Sequence, residues 1–168
     1  MKKKIHKKRV YVGFAADILH KGHINVLKTA SKLGEVTVGL LTDSAISSYK
    51  KFPLLDYKQR EIVLKNIKHV KKVVKQDSLD YRKNLLRFKP DFVVHGDDWK
   101  DGIQRKARQQ VIETLKKWSG KLIEVQYTKN ISSSQIKGKI LEIGTSPESR
   151  LSRLKRLIKA KKIIKIIE

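Results

Sequence analysis

From Arg9 onward the chain alternates two kinds of apolar pattern. Five short runs, "RVYVGFA", "EVTVGLL", "VKKVV", "DFVVHG" and "KLIEVQY", have the length and β-branched content of buried strands. Between them lie stretches with helical spacing. "INVLKTASKL" puts Ile24, Leu27, Ala30 and Leu33 on one face, and "YKQREIVLKNI" does the same with Ile62, Val63 and Ile67. "YRKNLLRFK" ends before Pro90, and "IQRKARQQVIETLKKW" runs into Ser119-Gly120, a helix exit. Strand–helix alternation of this kind predicts an α/β fold: a Rossmann-like parallel sheet of about five strands, helices on both faces and right-handed crossovers. At 168 residues the chain has the size of one ordinary domain. The expected organisation is a domain over residues 1–145 and a basic helical tail over 146–168, where Ser146-Pro147-Glu148 reads as a helix start.

In such sheets ligands bind in the crevice beyond the carboxyl ends of the strands. The segments that follow the strands are, in order, Asp17 with "HKGH"; Thr42, Asp43 and the Ser47–Lys51 loop; Asp77 with Asp80-Tyr81-Arg82; "HGDDW"; and "YTKNISSSQI". The chain's densest polar chemistry therefore falls on one edge of the predicted sheet, and that edge is the candidate site.

Composition narrows the chemistry. There are no cysteines, which removes disulfides, thiolate metal sites and cysteine nucleophiles and fits a reducing cytoplasm. No apolar run reaches the roughly 20 residues of a membrane span, and the positive start "MKKKIHKKR" has no signal-like apolar segment behind it. The net charge is +24, from 40 Lys+Arg against 16 Asp+Glu. Much of it lies at the ends, so residues 10–148 carry 26 bases against 15 acids, or +11. Such a charge fits an anionic ligand, a nucleic acid or an acidic membrane surface equally well. Nucleic-acid binding is carried as the rival class. Against it, aromatics are only 7% of residues and are not interleaved with the basic patches, and no RNP-like, zinc-finger or helix-turn-helix spacing appears.

"HKGH" itself admits three readings. His20 and His23 could be ordinary loop and first-turn residues. A zinc site would need three or four ligands, and only His95 offers a third. For phosphate chemistry, Gly22 would let the backbone turn tightly near a ligand, the helix start offers free N–H groups to an anion, and two imidazoles can donate to phosphate oxygens. "HGDDW" suits hydrogen bonding to ribose or base through Asp97 and Asp98, with Trp99 read as packing. Ser132, Ser133 and Ser134 suit either N-capping or phosphate binding.

The segment "GFAADILHKGH" resembles the HxGH signature of the nucleotidyltransferase superfamily, and "YKQR", "HGDDW" and "ISSSQI" follow in the order of its cytidylyltransferase branch. The resemblance extends from about Val10 to Ile143. It is most marked toward the phosphonate cytidylyltransferase domain linked to phosphoenolpyruvate mutase, in "GLLTDSAISSYK", "LDYRKNL" and "VVHGDDWKDG". The resemblance implies transfer of CMP from CTP to a small phosphonate, such as 2-aminoethylphosphonate or 2-hydroxyethylphosphonate, with release of pyrophosphate. Its alternative is a phosphate monoester acceptor such as glycerol 3-phosphate or phosphocholine. It further implies catalytic roles for His20, His23, Lys51 and Arg60, with Lys50 able to stand in for Lys51, and an ordinary surface lysine or helix salt bridge as the plain reading of the cations. Nucleotide contacts would come from Phe14, Ala15, Ala16, Gly22, Gly96, Asp97, Asp98, Tyr127, Ile131 and the three serines, and acceptor contacts from Asp17, Tyr81 and Arg82. Mg²⁺ would accompany CTP without a protein cage, its ligands not assigned. A homodimer and a downstream mutase domain are the implied partners. Three departures stand out: Phe14-Ala15-Ala16 where the superfamily has Gly-Thr-Phe, Tyr127 where the branch often has arginine, and Asn130 where it has glycine.

Overall fold

The computed structural model describes residues 7–100 and 102–145, the last four by backbone alone. The chain parts into two compact units, one ending at Asn130 and one beginning at Ile131, earlier than the boundary expected after residue 145. Asn130 has the left-handed backbone (φ 64°) that asparagine tolerates best among non-glycine residues, which suits a break there. The expected tail, 146–168, lies outside the described residues.

The first unit runs β1 (Arg9–Phe14), α1 (Lys21–Leu33), β2 (Glu35–Leu41), α2 (Asp43–Ser47), α3 (Tyr57–Lys65), β3 (Lys72–Gln76), α4 (Arg82–Phe88), β4 (Phe92–Gly96), α5 (Arg105–Lys116) and β5 (Lys121–Val125). Two 3₁₀ turns, Asp97–Trp99 and Gly102–Gln104, lie between β4 and α5. All five strands pair in parallel in the order β3-β2-β1-β4-β5. The chain thus builds outward from β1 through β2 to β3, then crosses back to place β4 on the other side of β1. The crevice between the carboxyl ends of β1 and β4 is the switch point at which ligands bind in sheets of this kind.

Strand alternation sends side chains to two cores. On one face Val10, Val12 and Phe14 of β1 pack with Val36, Val38, Leu40, Val73 and Val94 beneath Val26, Leu27 and Ala30 of α1 and Leu64 of α3. On the other, Tyr11 and Val93 pack with Tyr81, Leu85, Trp99, Val111 and Leu115, contributed by α4, α5 and the segments before them. This second face has a local peculiarity. Gly13 and Gly39 sit side by side in the β1–β2 register. A Cβ on Gly13 would overlap the phenol ring of Tyr81, and one on Gly39 would overlap that of Tyr11. The Tyr11 hydroxyl donates to Gln76 Oε1 (2.7 Å) and accepts from Asn84 Nδ2 (2.8 Å), which also donates to the Lys75 carbonyl (2.9 Å). Each buried polar group named here therefore has a partner.

Two sequence expectations change. The third strand is Lys72–Gln76 rather than "VKKVV", because the Val38–Val73 and Leu41–Gln76 register carries the pairing to the end of β2. The apolar stripe of α3 is also rotated. Ile62 and Val63 are 61% and 43% exposed, and Arg60 and Leu64 face inward instead. The reason is polar: Arg60 is drawn inside by three acceptors, described below.

Candidate active site

The site is built on the turn from β1 into α1. Phe14, the last residue of β1, is buried and meets the His23 ring edge-to-face at 5.0 Å. Ala15 is half-buried, and Ala16 is buried with a left-handed backbone (φ 51°), a strained choice for alanine in a place where the chain must turn sharply. Asp17 is buried as well, and its Oδ1 accepts the Leu54 N–H at 2.7 Å. Its carboxylate thereby ties the β1 turn to the chain entering α3. This holding role stands beside the acceptor contact expected of Asp17.

His20 is the N-cap of α1, with extended backbone (φ −146°, ψ 175°). Its Nδ1 accepts the Gly22 N–H at 3.1 Å, and its own N–H donates to His23 Nδ1 at 3.4 Å. The helix start thus uses two imidazoles where serine or aspartate is usual. Because both Nδ1 atoms accept, both neutral rings carry their proton on Nε2, and that N–H is the free donor of each. The rings lie 4.1 Å apart between centroids. Burial lowers the pKa of both, and His23 falls to about 3, with the His20 ring and the Lys50 charge adding to the effect of burial. Gly22 has a reason differing from the one expected: a Cβ there would stand 2.8 Å from His20 Cε1. The glycine makes room for the His20 ring. Farther along α1, Asn25 Nδ2 donates to Thr128 Oγ1 at 3.0 Å and ties the helix to the segment after β5.

The second side of the site is the stretch from β2 to α3. Thr42 caps α2, accepting the Ala45 N–H at 3.1 Å, so part of the predicted loop is a short helix. Lys50 and Lys51 follow, both exposed. Lys50 is the one whose charge bears on both His23 and His95, and its Nζ lies 5.2 Å from the centroid of the Tyr49 ring. The expected catalytic arginine is a correction. Arg60 is 1% exposed, and its guanidinium donates to the carbonyls of Ala15 and Leu55 and to Asp43 Oδ1. Asp43 in turn accepts the Tyr57 N–H at 3.2 Å. With Nε and both terminal nitrogens engaged, Arg60 fastens three backbone segments and is a positioning residue.

The third side follows β4. Asp97 Oδ1 accepts the Tyr127 N–H at 2.8 Å, joining the carboxyl ends of β4 and β5. Asp98 is half-exposed at the rim, and a Cβ on Gly96 would stand 2.6 Å from its Oδ1. His95 stacks on Trp99 (3.8 Å, 8°) and donates from Nδ1 to the Gly96 carbonyl at 2.8 Å. Trp99 is buried, as packing predicts, and its indole N–H donates to Glu124 Oε1 at 2.9 Å. Arg108 grips the same carboxylate through Nε and a terminal nitrogen (2.9 and 3.0 Å). The bonds from Arg108, outweighing partial burial, hold the Glu124 pKa down at about 2.

Tyr81 is also corrected as an acceptor contact. Tyr81 is 4% exposed, packed over Gly13 and against Trp99, so it is a core residue. Arg82, the first residue of α4, is exposed and paired with Asp80. In the second unit, Ser132 caps α6 (Ser133–Thr145), accepting the Gln135 N–H at 3.1 Å. Ile131 and Ser133 are partly buried and Ser134 is exposed. The structure therefore gathers Phe14–Asp17, His20, Gly22, His23, Gly96–Asp98 and Tyr127 along one sheet edge in the first unit. Sequence reasoning missed the bonds that hold this edge together. Lys50 was indistinguishable from Lys51 by type, and Glu124, inside an apolar strand pattern, was the one visible sign of a buried carboxylate partner. Among the described residues no three His, Asp or Glu side chains form a metal-ligand group, and none of the described helices is long and apolar enough to cross a membrane.

Comparison with known proteins identifies the family. A family model described as cytidylyltransferase-like matches residues 11–139. Ethanolamine-phosphate cytidylyltransferase from Arabidopsis thaliana is 30% identical over 142 residues, covering 79% of this chain but only 32% of that protein, so the chain spans about a third of that relative's length. FAD synthase from Thermoplasma volcanium is 30% identical over 143 residues, covering 80% of this chain and 95% of the relative. Among solved structures, the lipopolysaccharide core biosynthesis protein of Thermoplasma volcanium superposes with a TM-score of 0.61 at 28% identity, over 74% of this chain and 99% of that one. The β1 turn, the histidine-capped helix and the Gly-Asp-Asp-Trp rim all lie within the matched span, and the chain belongs to the cytidylyltransferase-like family of nucleotidyltransferases.

Proposed function

We propose that this protein transfers CMP from CTP to a small phosphate monoester of the phosphoethanolamine class and releases pyrophosphate. One observation carries the proposal: the two Nδ1 atoms of the HKGH pair are occupied by backbone N–H groups, which leaves two Nε2–H donors at the carboxyl edge of the sheet. In this reading the triphosphate lies against the start of α1. An acceptor oxygen forms a bond to the α-phosphorus, and the bond from that phosphorus to the pyrophosphate oxygen breaks. Charge grows on the equatorial oxygens and on the leaving group, where neutral, fixed donors stabilise it. A phosphate ester with a second pKa of about 6 is already ionised near neutral pH, so a strong general base is not needed. His20 and His23 hold their protons throughout, and Lys50 or Lys51 offsets phosphate charge. Mg²⁺ enters with CTP, and its chemistry is to neutralise triphosphate charge. Among the described residues no three His, Asp or Glu side chains form a ligand group for it.

The relatives support a phosphate monoester acceptor, because two of them are ethanolamine-phosphate cytidylyltransferases. The phosphonate acceptor is the second reading, and it rests on "LDYRKNL" and "VVHGDDWKDG". The test is pyrophosphate release from CTP and, separately, ATP, against phosphoethanolamine, phosphocholine, glycerol 3-phosphate, 2-aminoethylphosphonate and 2-hydroxyethylphosphonate. CTP with phosphoethanolamine should give the highest kcat/KM. Release with ATP alone, or with none of these acceptors, rejects the proposal, and a preference for a phosphonate establishes the second reading.

A further inference from the structure

On the sheet face covered by α4 and α5, strand alternation continues the apolar pair Val93 and Leu122 with His95 and Glu124, which stand opposite each other in the β4–β5 register. The last layer before the carboxyl edge is therefore polar, and a carboxylate stands where a branched aliphatic side chain would extend the packing of Leu122. The Glu124 side chain is 18% exposed and that of Arg108 29%. Replacing an ion pair withdrawn from water by apolar residues of similar size is often neutral or stabilising, so what this pair adds is direction. Arg108 reaches in from α5 and holds the two oxygens at 2.9 and 3.0 Å. Held in this way, Oε1 accepts the Trp99 indole N–H at 2.9 Å, and Oε2 lies 3.7 Å from Lys100 Nζ.

Trp99 and Lys100 close the turn that begins at Asp97, and the Lys100 N–H donates back to the Asp97 carbonyl at 3.3 Å. The other end of the turn is fastened separately, through the Asp97 carboxylate and the Tyr127 N–H at 2.8 Å. The buried indole lies flat on the His95 ring, with Tyr81 bordering it at 5.9 Å. Stacked rings can slide over one another, whereas a hydrogen bond to the indole N–H fixes both the ring and the backbone that carries it. The turn is thus tied to β5 and to the segment after it at both ends, and Asp98 is carried between the two fastenings. This is the stretch, Gly96 to Asp98, expected to meet the nucleotide, and its aim depends on a carboxylate that stands one strand away.

Resting on the CTP reading above, we infer that Glu124 is a positioning residue for the nucleotide: gripped by Arg108, it fixes the Asp97–Trp99 turn through the Trp99 indole N–H and thereby sets the affinity for CTP. The test uses the full chain, with KM and kcat for CTP taken from pyrophosphate release at saturating acceptor, and urea midpoints alongside. Glu124→Gln keeps the shape but cannot serve Arg108 and Trp99 together, and it should raise the KM for CTP roughly tenfold. Its kcat should change less than about threefold and its KM for the acceptor less than about twofold, because the reacting atoms are not touched. Trp99→Phe keeps a stacked ring without the N–H and should raise the KM for CTP likewise. The double variant should be no worse than the larger single one, since both remove the same bond. Arg108→Lys, which holds the carboxylate with one donor group in place of the fork, should show a smaller rise than Glu124→Gln. A lowered urea midpoint with an unchanged KM for CTP overturns the inference by reducing the clamp to packing. Additive effects in the double variant overturn the route through Trp99, and a loss confined to kcat or to the acceptor KM overturns the role toward the nucleotide. Should Trp99→Phe fail to fold, the order of Glu124→Gln and Arg108→Lys decides, equal or reversed effects counting against the inference. Calorimetric titration with CTP and Mg²⁺ separates the two layers of the reading. A wild type that does not bind CTP removes the proposed function and this inference together, whereas one that binds it as tightly as Glu124→Gln does removes this inference alone.

Discussion

His20 and His23 stand for the residue scale. Replacing either by alanine removes a donor held in place by a backbone bond, and kcat should fall by roughly a hundredfold or more, as loss of a preorganised transition-state donor does; near-normal turnover strikes that ring from the mechanism. The pH dependence follows from the same geometry. Burial, then the His20 ring and Lys50, hold the folded pKa of His23 at about 3, against about 6.5 in the unfolded chain. Between those values the unfolded state binds the extra proton, so this contribution to stability is full above pH 6.5 and is lost as pH falls towards 3. Urea midpoints should therefore be lower at pH 5 than at pH 7.5, and His23→Gln should narrow the gap. His23, held at about 3, should leave no inflection of its own in the kcat profile between pH 6 and 8. "HKGH" was legible as a strand-to-helix turn from residue types and position. The tautomers were not, since they depend on which N–H groups the helix leaves for Nδ1.

Among the elements, α1 and α3 show where the sequence could be read and where it could not. The start of α1 was visible as a glycine-bearing polar turn, yet the purpose of Gly22 emerges only from the 2.8 Å that a Cβ would leave to the His20 ring. Gly22→Ala should accordingly separate two readouts. Helix propensity favours alanine by up to about 1 kcal/mol, but a displaced His20 ring gives up the Gly22 N–H cap, worth about the same, so melting temperature should change little while kcat drops. For α3, periodicity pointed to Ile62 and Val63 as the buried stripe, and a buried arginine cannot be inferred from apolar spacing. Tethering by Ala15, Leu55 and Asp43 outweighs the apolar signal. Arg60→Met should cost roughly 3 kcal/mol in chemical denaturation, the scale for breaking a buried pair by removing one partner. Arg60→Lys, which keeps the charge but lacks the planar fork, should recover only part of that loss.

For the whole molecule, the parallel five-stranded sheet and its two-faced layering were readable because β-branched runs alternated with helical spacing, whereas the strand order was not. The division at Asn130 was not readable, as it depends on contact density. Net charge acts at this scale too. A +24 chain attracts polyanions over distance, so under the proposed function kcat/KM for CTP should fall severalfold between about 0.02 and 0.5 M salt while kcat changes little, because the screening length shrinks from over ~20 Å to under ~5 Å. A salt-independent kcat/KM would assign the charge to some other task. The paired glycines of β1 and β2 carry a consequence for how such a sequence can drift. Gly13 and Gly39 each give up their side-chain volume to one phenol. Bulk cannot appear at either strand position until the opposing ring has shrunk, and a ring lost first leaves a hollow under α4. Tyr81 and Gly13, like Tyr11 and Gly39, are thus bound to change as couples or to stay as they are, and descendants of this chain should inherit them as joint characters.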